Sequence, residues 1–365
     1  MNLSYSYIFL LHLVLIIFFM LKAPTQIQAQ KNKRNSVPAI FVFGDSTADT
    51  GNNNKILTAM RSNFKPYGRD FPNQESTGRF CNGRLVCDFV VKHLGIKEAV
   101  PPYSDKRLGV EELRTGVSFA SAGAGFDPLT SQLTNVIPLS KQVEYFKEYQ
   151  QKMGATIGKA QTQNLINQAL FFVSIGSNDF TENYKLVPIR SLNYTVSAYI
   201  DFLLQHAQQF LQELLDEGAR KIAVTGLGPL GCLPSIITVH SENAFSKREC
   251  VDSISSMARE FNVKIQKQLK ATQNKFANLG SRIGYVEVYK PTMDILLRPK
   301  SHGFENINTG CCGTGFLEFA LSCNPLSYVC PNVSKNYFWD SVHPTERAYY
   351  LITQAILPTI DSFTK

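Results

Sequence analysis

Short runs of apolar and β-branched residues recur along the chain, and longer segments whose apolar positions follow helical spacing separate them. Such alternation is typical of parallel strands joined by crossover helices. It predicts five strands, at residues 39–43, 116–120, 169–175, 221–225 and 283–288.

The longer segments predict amphipathic helices. Gly218 and Gly280 follow the third and fourth of them, where glycine commonly ends a helix. The third predicted strand is apolar over most of its length, which suits the centre of a sheet that helices cover on both faces. The expected fold class is therefore α/β, with a three-layer α/β/α architecture. The predicted helices span residues 84–94, 140–153, 196–217, 250–279 and 345–357.

Glycine and small polar residues directly follow three of the predicted strands, at residues 44–46, 121–123 and 176–178. In a parallel sheet the carboxyl ends of the strands lie along one edge, and ligands bind outside that edge. We therefore expect these three stretches to meet and to form the functional site.

An almost unbroken apolar run at residues 10–21 precedes the small residue Ala29. This pattern predicts a signal peptide over residues 1–29, followed by a single domain over residues 30–365. A signal anchor is the alternative, but the run is shorter than the roughly 20 residues that a spanning helix needs. No later stretch reaches that length, so we expect a secreted protein of the extracellular space or the cell wall.

Hydrophobic residues make up 44% of the chain and charged residues 18%, which is ordinary for a folded enzyme and excludes an intrinsically disordered chain. The net charge is +8 at pH 7. The basic residues are scattered and no nucleic-acid motif is present, so the charge indicates solvation, or adhesion to acidic polymers or membranes, rather than nucleic-acid binding. Two sequons, at Asn193 and Asn332, predict N-glycosylation in the secretory pathway.

The cysteines number eight, and an even number in an oxidising compartment favours disulfides. We expect local pairs between Cys81 and Cys87 and between Cys232 and Cys250. Irregular spacing argues against a zinc site. Four cysteines remain, and they are expected to staple residues 306–331: Cys311, Cys312, Cys323 and Cys330.

The stretch after the first strand carries a candidate nucleophile. A strand that runs into a tight turn would present the Ser46 hydroxyl at the edge of the sheet. In isolation, Asp45 or Ser46 would more simply cap the next helix. Far along the chain, Asp340 lies three residues before His343, so one loop can supply a general base and the carboxylate that orients it. Together these features favour a catalytic triad of Ser46, His343 and Asp340.

Two further positions offer hydrogen-bond donors to an oxyanion. Gly123 allows a backbone N–H to approach a ligand closely, and Asn178 carries a side-chain amide. The alternatives are that Gly123 serves only a turn and that Asn178 only caps the segment after it. With the backbone N–H of Ser46, these groups form the expected oxyanion hole.

Four sequence blocks occur in order, at residues 41–53, 119–123, 176–179 and 340–344. With these blocks the chain resembles the plant GDSL esterases/lipases of the SGNH hydrolase superfamily, including their extracellular lipase-like members. The resemblance extends from residue 38 to about residue 357. It implies a flavodoxin-like sheet of five parallel strands and a shallow site with broad ester specificity.

The resemblance implies the same site residues as the analysis above. Ser46 is the nucleophile, His343 the base and Asp340 its orienting acid, while Ser46, Gly123 and Asn178 supply the oxyanion donors. Two positions depart from the family pattern. Thr47 stands where the name-giving block has Leu, and Ser118 stands where the second block often has Asn.

The expected activity is hydrolysis of acyl or lipid esters through an acyl-enzyme. No metal, organic cofactor or obligate protein partner is expected. An acyltransferase that passes the same acyl group to an alcohol is one alternative. A secreted binding or defence-related protein that has lost catalysis is another, and the intact Ser46, Asp340 and His343 argue against it.

Overall fold

A parallel sheet forms the centre of the computed structural model, which describes residues 37–364. Its regular strands are β1 (Ile40–Gly44), β2 (Leu170–Ser174), β3 (Lys221–Thr225) and β4 (Arg282–Val286). They are hydrogen-bonded in the order β1-β2-β3-β4, and every pair is parallel. All four strands lie where the apolar runs predict them.

The fifth predicted strand, at residues 116–120, is an extended edge segment rather than a regular strand. It runs parallel to β1 and forms a bridge between Val42 and Ser118. The Val42 N–H donates to the Val117 carbonyl at 3.1 Å, and the Phe119 N–H donates to the Val42 carbonyl at 2.7 Å. On its other side the segment meets only an irregular loop, where the Ser118 N–H donates to the Pro101 carbonyl. With this segment counted, the sheet has the expected flavodoxin-like order.

Helices cover both faces of the sheet. Four of the five predicted helices lie within a few residues of their expected bounds, whereas the last continues through Pro358 to Thr364, seven residues beyond its predicted end. A π-helix spans Asp179–Leu186, and short 3-10 turns connect several elements. The α-helices between residues 37 and 364 are α1 Val86–His93, α2 Val110–Arg114, α3 Pro128–Thr134, α4 Leu139–Ile157, α5 Lys159–Gln168, α6 Val196–Asp216, α7 Pro234–His240, α8 Asp252–Phe276, α9 Tyr289–Leu297 and α10 Glu346–Thr364.

Alternate residues of each strand point to opposite faces of the sheet and pack against different helices. In β1, Phe41 and Phe43 are buried in one cluster with residues of α4, α6 and α8. Ile40 and Val42 are buried in a second cluster with residues of α1 and α10. Burying each such side chain stabilises the fold by about 1.5–3 kcal/mol. The two clusters confirm the three-layer architecture.

Disulfides staple the segment near residues 306–331, as expected. That segment contributes strand β5 (Asn306–Gly310), which pairs in parallel with β6 (Asn336–Phe338) in a second, two-stranded sheet. The disulfide predicted between Cys232 and Cys250 is also confirmed. The two disulfides of the segment join Cys311 to Cys330 and Cys312 to Cys323.

The predicted disulfide between Cys81 and Cys87 is wrong, because both thiols are free and buried. The Cys81 sulfur lies against the backbone of its own turn, 3.4 Å from the Gly83 nitrogen and 3.6 Å from the Arg84 carbonyl. Cys87 lies in the first turn of α1 and is buried in the apolar cluster that β1 forms with α1 and α10. The Cys81 sulfur is therefore occupied by backbone groups of its own turn. Although the two cysteines are only six positions apart in sequence, their sulfurs do not form a disulfide. Burial raises the pKa of both thiols well above the ordinary range.

None of the helices between residues 37 and 364 is long and apolar enough to span a membrane. The predicted signal peptide at residues 1–29 lies outside the residues that the structure describes.

We predict that the denatured, unreduced protein exposes two reactive thiols, because Cys81 and Cys87 lie outside the three disulfides. In the native protein both should react slowly, since burial and a raised pKa leave little thiolate. Thiol titration before and after denaturation, with the labelled residues mapped by mass spectrometry, measures this. Finding no reactive thiol after denaturation would contradict the free pair, and finding more than two would contradict the disulfides.

Candidate active site

The candidate nucleophile Ser46 lies in a tight turn directly after β1. Gly44 ends the strand at φ 142°, and a Cβ there would overlap the Ser174 carbonyl, so the chain can turn here only with glycine. The side-chain amide of Gln142 clamps Gly44, accepting from its N–H at 3.0 Å and donating to its carbonyl at 2.9 Å. The strand end that presents Ser46 is thereby fixed on both sides.

The buried carboxylate of Asp45 organises the same turn. Its Oδ1 accepts from the Thr47 N–H at 3.0 Å and from the Thr47 hydroxyl at 2.8 Å. Burial raises the pKa of Asp45 to about 6, while the bonds to Thr47 oppose that shift. Thr47, which replaces the Leu of the name-giving block, therefore contributes two donors to the turn. Its hydroxyl also lies 2.7 Å from the Ser174 hydroxyl.

Ser46, His343 and Asp340 lie in one hydrogen-bonded chain. The His343 Nε2 atom is 2.8 Å from the Ser46 hydroxyl, and Nδ1 is 2.8 and 2.9 Å from the two oxygens of Asp340. A carboxylate can only accept, so the proton belongs on Nδ1, and Nε2 is left to accept the proton of Ser46. The structure thus brings together three side chains from opposite ends of the chain.

Asp340 is fully buried and is held from several directions. Its Oδ1 accepts from the backbone N–H groups of Val342 and His343 at 2.8 and 2.7 Å, which folds the loop around the carboxylate. Its Oδ2 accepts from the Tyr67 hydroxyl at 2.8 Å. The ring of Phe80 packs on the His343 imidazole at a centroid distance of 4.9 Å. Nothing in the sequence blocks pointed to Tyr67 or Phe80.

The loop that carries Gly123 is held by the polar residues that follow the nucleophile. The Asp49 carboxylate accepts from the Ala122 N–H at 2.9 Å, and the side-chain amide of Asn53 donates to the Ala122 carbonyl, also at 2.9 Å. The amide of Asn52 bonds two further carbonyls of the same segment. Burial raises the pKa of Asp49 to about 6. These side chains belong to the first sequence block, but the block does not indicate that they hold the loop of Gly123 in place.

Gly123 has φ 86°, a conformation that favours glycine, and a Cβ there would lie 2.9 Å from the Thr134 hydroxyl. Within the described residues, the backbone N–H groups of Ser46 and Gly123 have no acceptor in the protein. Two free donors therefore remain at the carboxyl edge of the sheet. Ser118 supports this loop in place of the family's Asn, since its hydroxyl donates to the Ala48 carbonyl at 2.9 Å.

Asn178 does not act as a helix cap. It has helical dihedral angles and makes no capping hydrogen bond, and its amide nitrogen instead donates to the Ala124 carbonyl at 2.9 Å. The second N–H of that amide remains for a ligand. Asn178 lines a cleft together with Ser46 and His343, whereas Gly123 is not part of its lining.

The residue after Asn178 ties it to the neighbouring loop. Asp179 is fully buried and accepts from the Phe126 N–H at 2.8 Å, from the Asp127 N–H at 3.1 Å and from the Thr130 hydroxyl at 2.6 Å. Burial raises the pKa of Asp179 to about 7 despite these donors. Because its partners lie in the segment that follows Gly123, Asp179 connects that segment to the one that begins at Asn178.

The cleft beside Ser46 is mostly apolar and has a volume of about 140 Å³. It extends from the polar site toward the sheet and helices α9 and α10. Within residues 37–364, no cluster of histidine, cysteine, aspartate or glutamate side chains is suited to hold a metal ion. The apolar lining includes Phe172, Ile175, Leu227, Leu233, Val342 and Ile352.

Comparison with known proteins gives a consistent result. Residues 40–356 match the family model described as GDSL-like Lipase/Acylhydrolase. A GDSL esterase/lipase of Arabidopsis thaliana is 50% identical over 335 residues, which cover 92% of this chain and 89% of that protein. A second Arabidopsis GDSL esterase/lipase is 43% identical, covering 88% and 91% of the two chains. A third is 41% identical over 95% and 96%.

We predict that Asn178→Ala lowers kcat for ester hydrolysis by roughly 10²–10³-fold while KM changes little, because the amide acts on developing negative charge. Loss of the bond to Ala124 alone would instead lower the melting temperature and leave turnover of the folded protein intact. Measuring kcat, KM and melting temperature on one preparation separates the two roles. A lower melting temperature with unchanged kcat would remove Asn178 from the oxyanion hole.

We also predict a pH-dependent stability difference between the wild type and Asp179→Asn. An unfolded aspartate has a pKa of about 3.9, and burial raises the pKa of folded Asp179 to about 7. The folded state therefore binds the proton more tightly, and the stability contributed by Asp179 declines as pH rises from about 4 to 7. Between pH 5 and pH 8 the wild type should lose about 1–3 kcal/mol relative to the variant. Urea unfolding of both proteins measures this, and a constant difference would contradict it.

Proposed function

Because this chain belongs to the GDSL-like lipase/acylhydrolase family, whose named relatives are esterases and lipases, we propose that it hydrolyses carboxylic esters through an acyl-enzyme on Ser46. The observation that carries this proposal is the hydrogen-bonded chain from the Ser46 hydroxyl through His343 to Asp340, with contacts of 2.8 Å at both nitrogens of the imidazole. An unactivated serine hydroxyl is a weak nucleophile, and such a chain supplies the base it needs.

In the first half of the reaction, the Ser46 oxygen attacks the ester carbonyl while His343 Nε2 takes the hydroxyl proton. Asp340 stabilises the imidazolium that forms. The tetrahedral intermediate collapses when the imidazolium returns its proton to the leaving alcohol, and the acyl group stays on Ser46. In the second half, His343 takes a proton from water, whose oxygen attacks the acyl-enzyme. The imidazolium then returns that proton to the Ser46 oxygen as the bond to the acyl group breaks, which releases the acid and restores the enzyme.

Negative charge on the carbonyl oxygen requires donors that are already in place. The free N–H groups of Ser46 and Gly123 and the second N–H of the Asn178 amide are the proposed donors. Their loops are held by the buried carboxylates of Asp49 and Asp179, so little reorganisation is needed as charge develops. Such preorganised donors contribute about 2.7–4 kcal/mol each in comparable sites.

The apolar cleft indicates the class of substrate. Ser46 and His343 are among its lining residues, and aliphatic and aromatic side chains such as Leu233 and Phe172 form much of the rest. A straight acyl chain would bury about 0.8 kcal/mol for each CH₂ group placed there. We therefore propose acyl or lipid esters as substrates, with the acyl chain in the cleft and the alcohol toward solvent.

We further propose that residues 1–29 are removed as a signal peptide and that residues 30–365 form one secreted domain. Three disulfides suit an oxidising compartment. Asn193 and Asn332 are both exposed, as acceptors of N-linked glycans must be.

The proposal predicts that Ser46→Ala lowers ester hydrolysis by roughly 10⁴-fold or more with little change in melting temperature, because the hydroxyl performs chemistry and little packing. A fluorophosphonate probe should label the wild type and not the variant. Ser131→Ala, which alters another buried serine, is the control and should keep both activity and labelling. Residual turnover near that of the wild type in pure Ser46→Ala would contradict the proposal.

The same preparation separates hydrolysis from the alternatives. A series of esters of increasing acyl length should show kcat/KM rising until the cleft is filled. Adding a candidate acceptor alcohol tests acyl transfer, since a transferase would produce acylated acceptor in excess of free acid. A catalytically silent binding protein would leave Ser46 unlabelled in the wild type.

A further inference from the structure

We propose that Tyr67 is a positioning residue for the carboxylate of Asp340, and that a disulfide-closed loop holds Tyr67 in place. This inference rests on the proposed catalytic role of Asp340. Tyr67 lies outside all four sequence blocks and is fully buried. We refer to residues 312–323, which the disulfide between Cys312 and Cys323 closes, as the support loop.

The direction of the Tyr67 hydroxyl proton follows from its two partners. The hydroxyl oxygen is 2.9 Å from the backbone nitrogen of Ala320 and 2.8 Å from Oδ2 of Asp340. A backbone N–H can only donate, and a carboxylate can only accept. The Tyr67 proton must therefore point at Asp340. Burial and the charge of Asp340 raise the pKa of Tyr67 well above its ordinary value, so the phenol stays a donor.

Tyr67 and the His343 imidazole share Oδ2 of Asp340. The backbone N–H groups of Val342 and His343 bind Oδ1 of Asp340, whereas among residues 37–364 Oδ2 receives only the imidazole and Tyr67. Hydrogen bonds to an ionised group are about twice as strong as neutral ones. By binding the oxygen that the backbone N–H groups do not bind, Tyr67 fixes the rotation of the carboxylate, and with it the plane of the imidazole.

Packing keeps the Tyr67 ring from moving. Its centroid lies 5.7 Å from that of Phe80 and 6.3 Å from that of Trp339, both in edge-on arrangements. Phe80 in turn packs on the His343 ring. One aromatic side chain, Phe80, therefore packs on both the positioning residue and the base.

The support loop presents the Ala320 N–H in an uncommon backbone conformation. Ala320 has φ 48°, which non-glycine residues seldom adopt and which persists only where the surroundings enforce it. The Ser322 hydroxyl donates to the Phe319 carbonyl at 2.7 Å, and the Cys323 N–H donates to the Ala320 carbonyl at 3.0 Å. These bonds and the disulfide enforce the turn. The stapled segment therefore supports the charge relay as well as the fold.

Tyr67→Phe tests the proposal, because it removes the hydroxyl and keeps the ring. We expect kcat to fall roughly tenfold with KM within about twofold of the wild type, since only the orientation of the relay changes. Proton NMR should also show the His343 Nδ1–H resonance, expected downfield of the amide region, shifted or broadened in the variant. An unchanged kcat together with an unchanged resonance would overturn the proposal.

Tyr149→Phe is the matched control. Tyr149 is also fully buried, and its hydroxyl makes one bond, to the Leu113 carbonyl at 3.0 Å, away from the site. This variant should keep kcat and the resonance even if its melting temperature falls. Titration with the fluorophosphonate probe gives the concentration of reactive Ser46, so that kcat can be expressed per active molecule. If the probe does not label Ser46 in the wild type, the proposed function is refuted. If the wild type is labelled but Tyr67→Phe has the same kcat and the same resonance, only this inference is refuted.

A second variant tests the support loop and stands on its own if Tyr67→Phe does not fold. Replacing Cys312 and Cys323 by serine should lower kcat and alter the same resonance, whereas replacing Cys232 and Cys250 should leave the resonance unchanged. Combining the loop variant with Tyr67→Phe should lower kcat little beyond Tyr67→Phe alone, since both act through one hydroxyl. An unchanged kcat and resonance in the loop variant, or fully additive losses, would overturn the coupling.

Discussion

A carboxylate that is removed from water must receive hydrogen bonds, and this requirement organises the carboxyl edge of the sheet. Four fully or almost fully buried aspartates lie there, and each is satisfied by groups from the loop that it holds. Asp45 binds the turn after β1, and Asp49 binds the loop before Gly123. Asp179 binds the loop after Gly123, and Asp340 binds the loop that carries His343. If any of these carboxylates lost its donors, the remaining buried charge would destabilise the loop that it now fixes.

This arrangement explains how atoms far apart in sequence reach hydrogen-bonding distance. Ser46 and His343 are separated by 297 positions, and no regular element joins them directly. Each is placed by its own local turn: the turn of Ser46 follows β1 of the central sheet, and the turn of His343 follows β6 of the second sheet. Precision comes from the bonds to buried carboxylates, since loops without them would have the mobility usual for surface segments.

Much of this could be predicted from the sequence, because local signals agree with the fold. The apolar runs predict β1 to β4. The sequence also singles out Ser46, Asp340 and His343, and the structure places these side chains in one hydrogen-bonded chain. The rest depends on tertiary contacts that spacing does not encode. Residues 116–120 have the composition of a strand but lie beside an irregular loop. Cys81 has a cysteine six positions away, yet its sulfur is occupied by its own turn. Tyr67 reaches Asp340 across 273 positions, so no local pattern could indicate it.

Different side chains hold the polar atoms of the site and form the wall of the apolar cleft. The atoms proposed to perform chemistry are fixed by buried aspartates and their donors, whereas the cleft wall is formed by apolar side chains from several elements, among them Leu233 and Ile352. Exchanging one aliphatic side chain for another changes the volume of the cleft without removing a donor from any carboxylate. Volume-conserving exchanges of this kind usually cost less than about 1.5 kcal/mol. The proposed acyl preference can therefore change through the wall while the proposed triad and oxyanion donors keep their geometry.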